Sequence, residues 1–361
     1  MDHELLRAEF PVLAERTYLN AGTCGPLPRA AGAAAAAVLD RAEREGRSAE
    51  HYGVVVQAQE DRRARYARLL GARAEDVALT TSTTLGIVRV LQGLDWSAGD
   101  EVLVAEQEHP GLLGPLAALV RHRGVVVRSA PLEHLVEAVG SRTSLVACSH
   151  VRWTDGTVAP SALAQLAGRV PVLLDGAQGV GAIPVDVSAL GCAFYAGSGQ
   201  KWLCGPIGTG MLWVHPAWQE RLHARAPAYG NLVAPTEGLA ARPWDDARAF
   251  DAIATSAEAS VAAVTAMDVL DGAGWDGVHG RAADLAATLA DRLTAAGRTV
   301  APRGRTTLVS WSDDDPAGTR DRLGAAGVVV RDLPGTDLLR ASVGAWNDDA
   351  DLERLLDVLV G

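Results

Sequence analysis

The chain has 361 residues, 48% of them hydrophobic, with a formal net charge of -11 at pH 7. That length and apolar content exceed what one small domain needs for its core. The acidic balance leaves no overall field to attract nucleic acid or an anionic membrane, and no run reaches the roughly 18 apolar residues of a bilayer span.

In chain order, strong helix formers from Arg29 to Gly46, including the alanine run Ala33–Ala37, predict a helix. The basic cluster Arg62-Arg63-Ala64-Arg65 reads as a solvated helix face. From Asp76 to Val214 strands and helices alternate. The expected strands are Val77–Thr80, Glu101–Ala105, Val125–Ser129, Ser144–Ser149, Val170–Leu174, Cys192–Ala196 and Gly210–Val214. Helices are expected between them, at Gly111–His122 and Ser161–Gly168 among others. This alternation predicts an α/β fold with a mostly parallel, seven-stranded sheet covered on both faces. Tyr229 to Asp251 reads as loop. Beyond Ser256 two helices (Ala257–Leu270, Trp275–Ala296) precede short strands at Leu308–Trp311, Val328–Arg331 and Leu338–Val343. A last helix runs from Asp348 to Val360. The expected division is a large body over residues 17–250 and a smaller C-terminal α+β body made of 251–361 together with 1–16.

Two strand ends carry the chemistry. The run Val172-Leu173-Leu174 ends in Asp175-Gly176-Ala177-Gln178, and Phe194-Tyr195-Ala196 leads into Gly197-Ser198-Gly199-Gln200-Lys201-Trp202. In an open parallel sheet, ligands sit beyond the carboxyl ends of the strands, so Asp175 and Lys201 can converge on one molecule. A lysine able to form a Schiff base, with an aspartate able to keep a pyridinium nitrogen protonated, is the protein side of pyridoxal 5'-phosphate (PLP) chemistry. Thr80-Thr81-Ser82-Thr83-Thr84 follows a strand and opens a helix, where free N–H groups suit a phosphate, although a plain hydroxyl cap reads the same way.

The ordered set of motifs, from Tyr18-Leu19-Asn20-Ala21-Gly22 to Arg340-Ala341-Ser342, resembles the class V aminotransferase family of fold-type I PLP enzymes. That family includes cysteine desulfurases, cyst(e)ine C–S lyases and isopenicillin N epimerase-like proteins. The resemblance implies that Lys201 carries the cofactor and moves the α-proton, Asp175 bonds the pyridine nitrogen, and Gln178 bonds the ring's phenolic oxygen. It implies that Ser198, Gln200, Ser82, Thr83 and Thr84 face the phosphate, with Gln200 standing where the family usually has His. Glu108-His109-Pro110 matches an element whose histidine, here His109, stacks on the ring and can relay protons. Arg340 would bind the substrate α-carboxylate, unless it is a sheet-edge arginine paired with Asp337. Asn20 and Trp153 would border the substrate. Ala254-Thr255-Ser256 resembles the element that reaches the neighbouring subunit's phosphate, so Thr255 implies a homodimer with shared sites.

The same resemblance places a persulfide-accepting cysteine in the small body of a desulfurase. This chain has no cysteine after Cys204, and the short Arg331-Asp332-Leu333-Pro334-Gly335 stands at that place. The expected activity is therefore β-elimination from cysteine, cystine or an S-substituted cysteine, with transamination, epimerisation, decarboxylation or oxidative deamination as alternatives on the same carbanion. A nicotinamide dehydrogenase is disfavoured because Gly179-Val180-Gly181 lacks a third glycine. A metal hydrolase is disfavoured because no His-x-x-x-His or Glu/His cluster at ligand spacing occurs. Met1-Asp2-His3-Glu4 lacks the basic and apolar start of a secretory leader. The cysteines Cys24, Cys148, Cys192 and Cys204 contain no Cys-x-x-Cys pair, so a cytoplasmic location is expected.

Overall fold

The computed structural model describes residues 2–360. A short strand, β1 (Thr17–Tyr18), precedes seven that form one sheet: β2 (Val77–Thr80), β3 (Glu101–Ala105), β4 (Val126–Ala130), β5 (Thr143–Ser149), β6 (Val172–Asp175), β7 (Phe194–Ser198) and β8 (Gly210–Val214). Their order is β2-β8-β7-β6-β5-β3-β4, parallel except for β8, which runs antiparallel to both its neighbours. Every residue of β2, β3, β6, β7 and β8 is buried, because helices cover both faces and leave no room for a polar alternation. Successive side chains therefore enter different cores. Leu174, Tyr195 and Met211 join Tyr66 and Leu70 on one side, while Leu173, Phe194 and Leu212 join Ile87 and Leu116 on the other.

The chain continues with β9 (Leu308–Ser312), β10 (Val328–Val329), β11 (Arg331–Asp332) and β12 (Leu338–Ser342). The antiparallel sheet β11-β12-β9 shares a core with the helices Trp275–Ala295 and Asp349–Val360, built from Leu289, Trp311, Leu339 and Leu355. The helix Ala257–Ala273 packs instead on the helices Arg29–Glu45 and Ala49–Leu70. We propose for the folded chain the division into residues 17–250 and 251–361 with 1–16, with Ala257–Ala273 as the wall they share. No helix among the described residues is long and apolar enough to cross a membrane.

Three expectations are corrected. Ser161–Gly168 forms 3-10 turns over Ser161–Leu166, where its buried anchors Leu163 and Leu166 are three residues apart and match the tighter period. Val328–Arg331 is not one strand: it breaks at Val330, because β1 captures β10 in a parallel pair while β11 turns to β12. The basic cluster is not a solvated face. Arg62 and Arg63 are buried, and Arg63 donates to the Val77 carbonyl (2.6 Å) and to Asp251 (3.0 and 2.7 Å).

Candidate active site

Beyond the carboxyl ends of β5, β6 and β7 lies a cavity of ≈ 290 Å³, with Lys201, Asp175, Gln178, His109, Ser198 and Gln200 among the residues that line it. Asp175 is the last residue of β6 and Ser198 the last of β7. Lys201 follows in a tight turn closed by the Lys201 carbonyl accepting from Cys204 N (3.1 Å), with Cys204 at a left-handed φ of 54°. Burial pushes the Lys201 ammonium down to about 8, with Asp175 acting upward and Arg340 and Arg331 downward. The Asp175 carboxyl is raised by burial, and Lys201 opposes that shift. One Asp175 oxygen accepts from Ala177 N (2.9 Å), which fixes the carboxylate at the strand end.

Gln178 is braced from two sides. Its amide nitrogen donates to the Gly22 carbonyl (2.7 Å) and its oxygen accepts from Trp202 Nε1 (2.9 Å). One amide hydrogen stays free for a ligand acceptor, since a primary amide carries two. His109 caps the helix Pro110–Arg123, its Nδ1 accepting from Gly111 N (2.9 Å), which puts the ring hydrogen on Nε2. Burial and the three nearby cations Lys201, Arg331 and Arg340 push its pKa down to about 4, so the ring is neutral. Trp153 stands edge-on to it at 5.2 Å and is held by Nε1 donating to the Gln107 carbonyl (2.9 Å). Beneath them Glu108 accepts from Ser149 N (2.8 Å) and Ser149 Oγ (2.6 Å), and burial raises it to about 7.

The far end of the cavity has the character of an anion site. Ser82 caps the helix Thr83–Gly93, its Oγ accepting from Leu85 N (3.1 Å), so that helix N-terminus and Thr84 face the cavity. Ser198 Oγ, Thr83 Oγ1 and Gln200 Oε1 are buried without a partner. Buried polar atoms in folded proteins are almost always paired, and hydroxyls at a helix N-terminus are matched by phosphate oxygens. A phosphate at this end, with a ring reaching from it to Asp175, fits the residues present.

Not every expected residue arrives here. Asn20 does not line the cavity; its side chain accepts from Thr23 Oγ1 (2.7 Å) and shapes the turn that presents Gly22 and Thr23. Thr255 also lies outside it, accepting from Gln59 Nε2 (2.8 Å). Arg340 does line it, on the middle strand of its sheet and with no ion pair to Asp337; one nitrogen donates to the Trp153 carbonyl (2.6 Å), and burial lowers its pKa to about 9. Sequence reasoning missed Arg331 as a site residue. It is register-paired with Arg340, lines the same cavity and donates to Thr23 Oγ1 (3.1 Å). The signal was present in a charged residue ending the run Val328-Val329-Val330.

The turn after Asp175 depends on glycine for space. A Cβ at Gly176 would collide with the Tyr195 ring, which is fully buried and cannot withdraw. Gly176→Ala is expected to cost about 1–3 kcal/mol, the usual range for overpacking a filled core. Chemical denaturation measures it, and an unchanged midpoint would contradict the close approach.

Residues 18–355 match the family model described as aminotransferase class-V. Among curated proteins, the chain is 32% identical, over an alignment 387 positions long, to isopenicillin N epimerase of Amycolatopsis lactamdurans, covering 95% of this chain and 94% of the relative. It is 34% identical over 307 residues to a cysteine desulfurase of Cronobacter sakazakii, covering 76% and 73%. Among solved structures, it resembles the cystine C–S lyase C-DES in complex with its reaction product cysteine persulfide, at TM-score 0.89 and 27% identity, covering 97% of this chain and 99% of the other. A C-DES mutant with glycine covalently linked to its PLP cofactor superposes at TM-score 0.90 and 25% identity, covering 98% of both chains.

Proposed function

Because the chain belongs to the aminotransferase class-V family and works with pyridoxal 5'-phosphate, we propose that it is a carbon–sulfur lyase acting by β-elimination on cystine or another S-substituted cysteine. The observation that carries this reading is the pair Arg340 and Arg331, adjacent in register and facing the cavity that holds Lys201. Two guanidinium groups suit a substrate with two carboxylates, as cystine has. The likeness to the cystine C–S lyase C-DES supports it, as does a small body without cysteine after Cys204.

When bound, PLP supplies an electron sink for the charge left on the substrate's Cα. Arg340 holds the α-carboxylate and so sets the angle of the Cα–H bond. Lys201, with its pKa near 8, takes the Cα proton. Asp175 keeps a proton on the ring nitrogen. His109, neutral with its hydrogen on Nε2, would stack on the cofactor ring. The Cα–H and Cβ–S bonds break, the sulfur leaves with its bonding electrons and a proton, and one water completes conversion of the remaining fragment to pyruvate and ammonia. From cystine the sulfur product is cysteine persulfide.

Comparing cystine with S-methylcysteine in wild type and Arg331→Met tests the proposal. Removing a charge-assisted contact should lower kcat/KM for cystine about 10- to 100-fold. S-methylcysteine, which has no second carboxylate, should change by less than about threefold. Equal losses on both substrates would contradict a distal carboxylate site.

A second reading is epimerisation, favoured by the nearly full-length likeness to isopenicillin N epimerase. It shares removal of the Cα proton and differs in returning one to the other face, so recovery of a D-configured amino acid identifies it. In either case we propose a homodimer. Thr255 borders a separate cleft of ≈ 560 Å³, walled by Tyr52, Tyr229 and Trp244. A second copy seated there would receive Thr255 at its phosphate end.

A further inference from the structure

Arg62 is fully buried, and its Nε, Nη1 and Nη2 atoms all lack a hydrogen-bond partner. A guanidinium removed from water with nothing to bond is among the most costly arrangements a fold can hold. The nearby carboxylate does not relieve it. Asp251 is occupied by Arg63 through both oxygens (3.0 and 2.7 Å) and by Leu79 N (2.7 Å). Glu60, at the surface, also turns to Arg63 (3.3 Å). Both carboxylates thus turn to Arg63, and Arg62 is left with no hydrogen-bonded counter-charge.

The side chains around Arg62 show where its charge is directed. Tyr66, one helical turn further on and therefore on the same face of Ala49–Leu70, is also fully buried, with Thr209 the side chain beside its hydroxyl. That oxygen lies against the Gly199 turn, 2.9 Å from where a Cβ on Gly199 would stand, and Thr209 Oγ1 crowds the same point. Ser198 and Gln200 flank Gly199, and both carry unpartnered buried oxygens at the anion end of the cavity. Gln200 is neutral where the family's segment has histidine. The cation missing from the loop is thus present underneath it, contributed by a different element.

We propose that Arg62 is the fixed buried cation for the cofactor phosphate, acting as a positioning residue from beneath the Gly199 turn through Tyr66 and replacing the charge that Gln200 does not supply. The proposal rests on the cofactor and is independent of which reaction follows. In the PLP-bound protein the Arg62 charge is balanced by the phosphate dianion. In the protein stripped of PLP it is not.

The test compares wild type, Arg62→Met and Arg62→Met/Gln200→His, each with PLP and after its removal. Arg62→Met should weaken PLP binding by roughly tenfold or more, the effect of one fixed charge in a partly screened site. The melting temperature of the PLP-free protein should hold or rise, because an unpaired buried charge is gone. The 31P resonance of bound PLP should be independent of pH in wild type and titrate between about pH 5 and 7 in Arg62→Met, where a phosphate without a fixed cation takes its second proton. Gln200→His in that background should restore much of the affinity. Tyr66→Phe, which keeps the ring and its packing, should weaken PLP binding several-fold and covers the case in which Arg62→Met does not fold. Equal loss of stability with and without PLP, unchanged affinity and an unchanged 31P titration would overturn the proposal, as would Tyr66→Phe with wild-type affinity. Failure of wild type itself to bind PLP would instead refute the cofactor.

Discussion

Lys201→Ala is expected to lower turnover by roughly 10⁴-fold or more, because in the proposed reaction Lys201 is both the attachment point of the cofactor and the base that moves the Cα proton. Among the described residues no other amine lines the cavity, and the arginines there stay protonated at neutral pH. The visible absorbance of the bound cofactor should disappear with the lysine, while PLP itself still binds through the phosphate end. A pH profile sharpens the prediction. Only the unprotonated amine attacks an aldehyde, and burial places this lysine near 8. The rate at which PLP recombines with the stripped protein should therefore rise with pH up to about 8 and level above it. A break near 10.5, the value of an ordinary lysine, would contradict the buried environment. Retained turnover in Lys201→Ala would remove Lys201 from the chemistry altogether.

Asp175→Asn is expected to reduce kcat/KM by about 10²–10³-fold, the usual loss when one preorganised electrostatic partner is removed from the reacting group. Asparagine preserves size and can still accept from Ala177 N, so the strand end should keep its shape. What it loses is the negative charge that the proposed reaction assigns to the ring nitrogen. Cofactor occupancy should stay within a few-fold of wild type, since the phosphate contacts lie at the other end of the cavity. The signature is thus a catalytic defect with the cofactor in place, read from kcat/KM beside the PLP content. Wild-type turnover would show that no charge is needed at that position.

The sequence made the sheet and its strand-end residues legible for a physical reason. Buried parallel strands are short apolar runs, and a polar residue that ends such a run stands at the ligand-binding edge. Asp175, Gln178, Ser198 and Lys201 are all of this kind, and the structure gathers them around one cavity. Arg331 was hidden because Val328 to Arg331 reads as a single strand. Its break comes from β1, which is more than three hundred residues away in sequence and pairs with Val328 and Val329. Arg62 was hidden for a related reason. Three arginines in four helical residues look solvated, and only packing of that helix against Ala257–Ala273, β2 and the Gly199 turn puts Arg62 and Arg63 inside. Thr255 was singled out by its motif, and in the single chain it borders the cleft beside Tyr52 and Tyr229 rather than the cavity of Lys201.

The most direct test of the lyase reading is the stoichiometry of a reaction with L-cystine, following pyruvate, ammonia and persulfide sulfur together with the configuration of unreacted substrate. The account predicts that each cystine consumed yields one of each product, and that the remaining cystine stays L. Cystine that turns D without pyruvate, or an amino group passed intact to a 2-oxo acid, would contradict it.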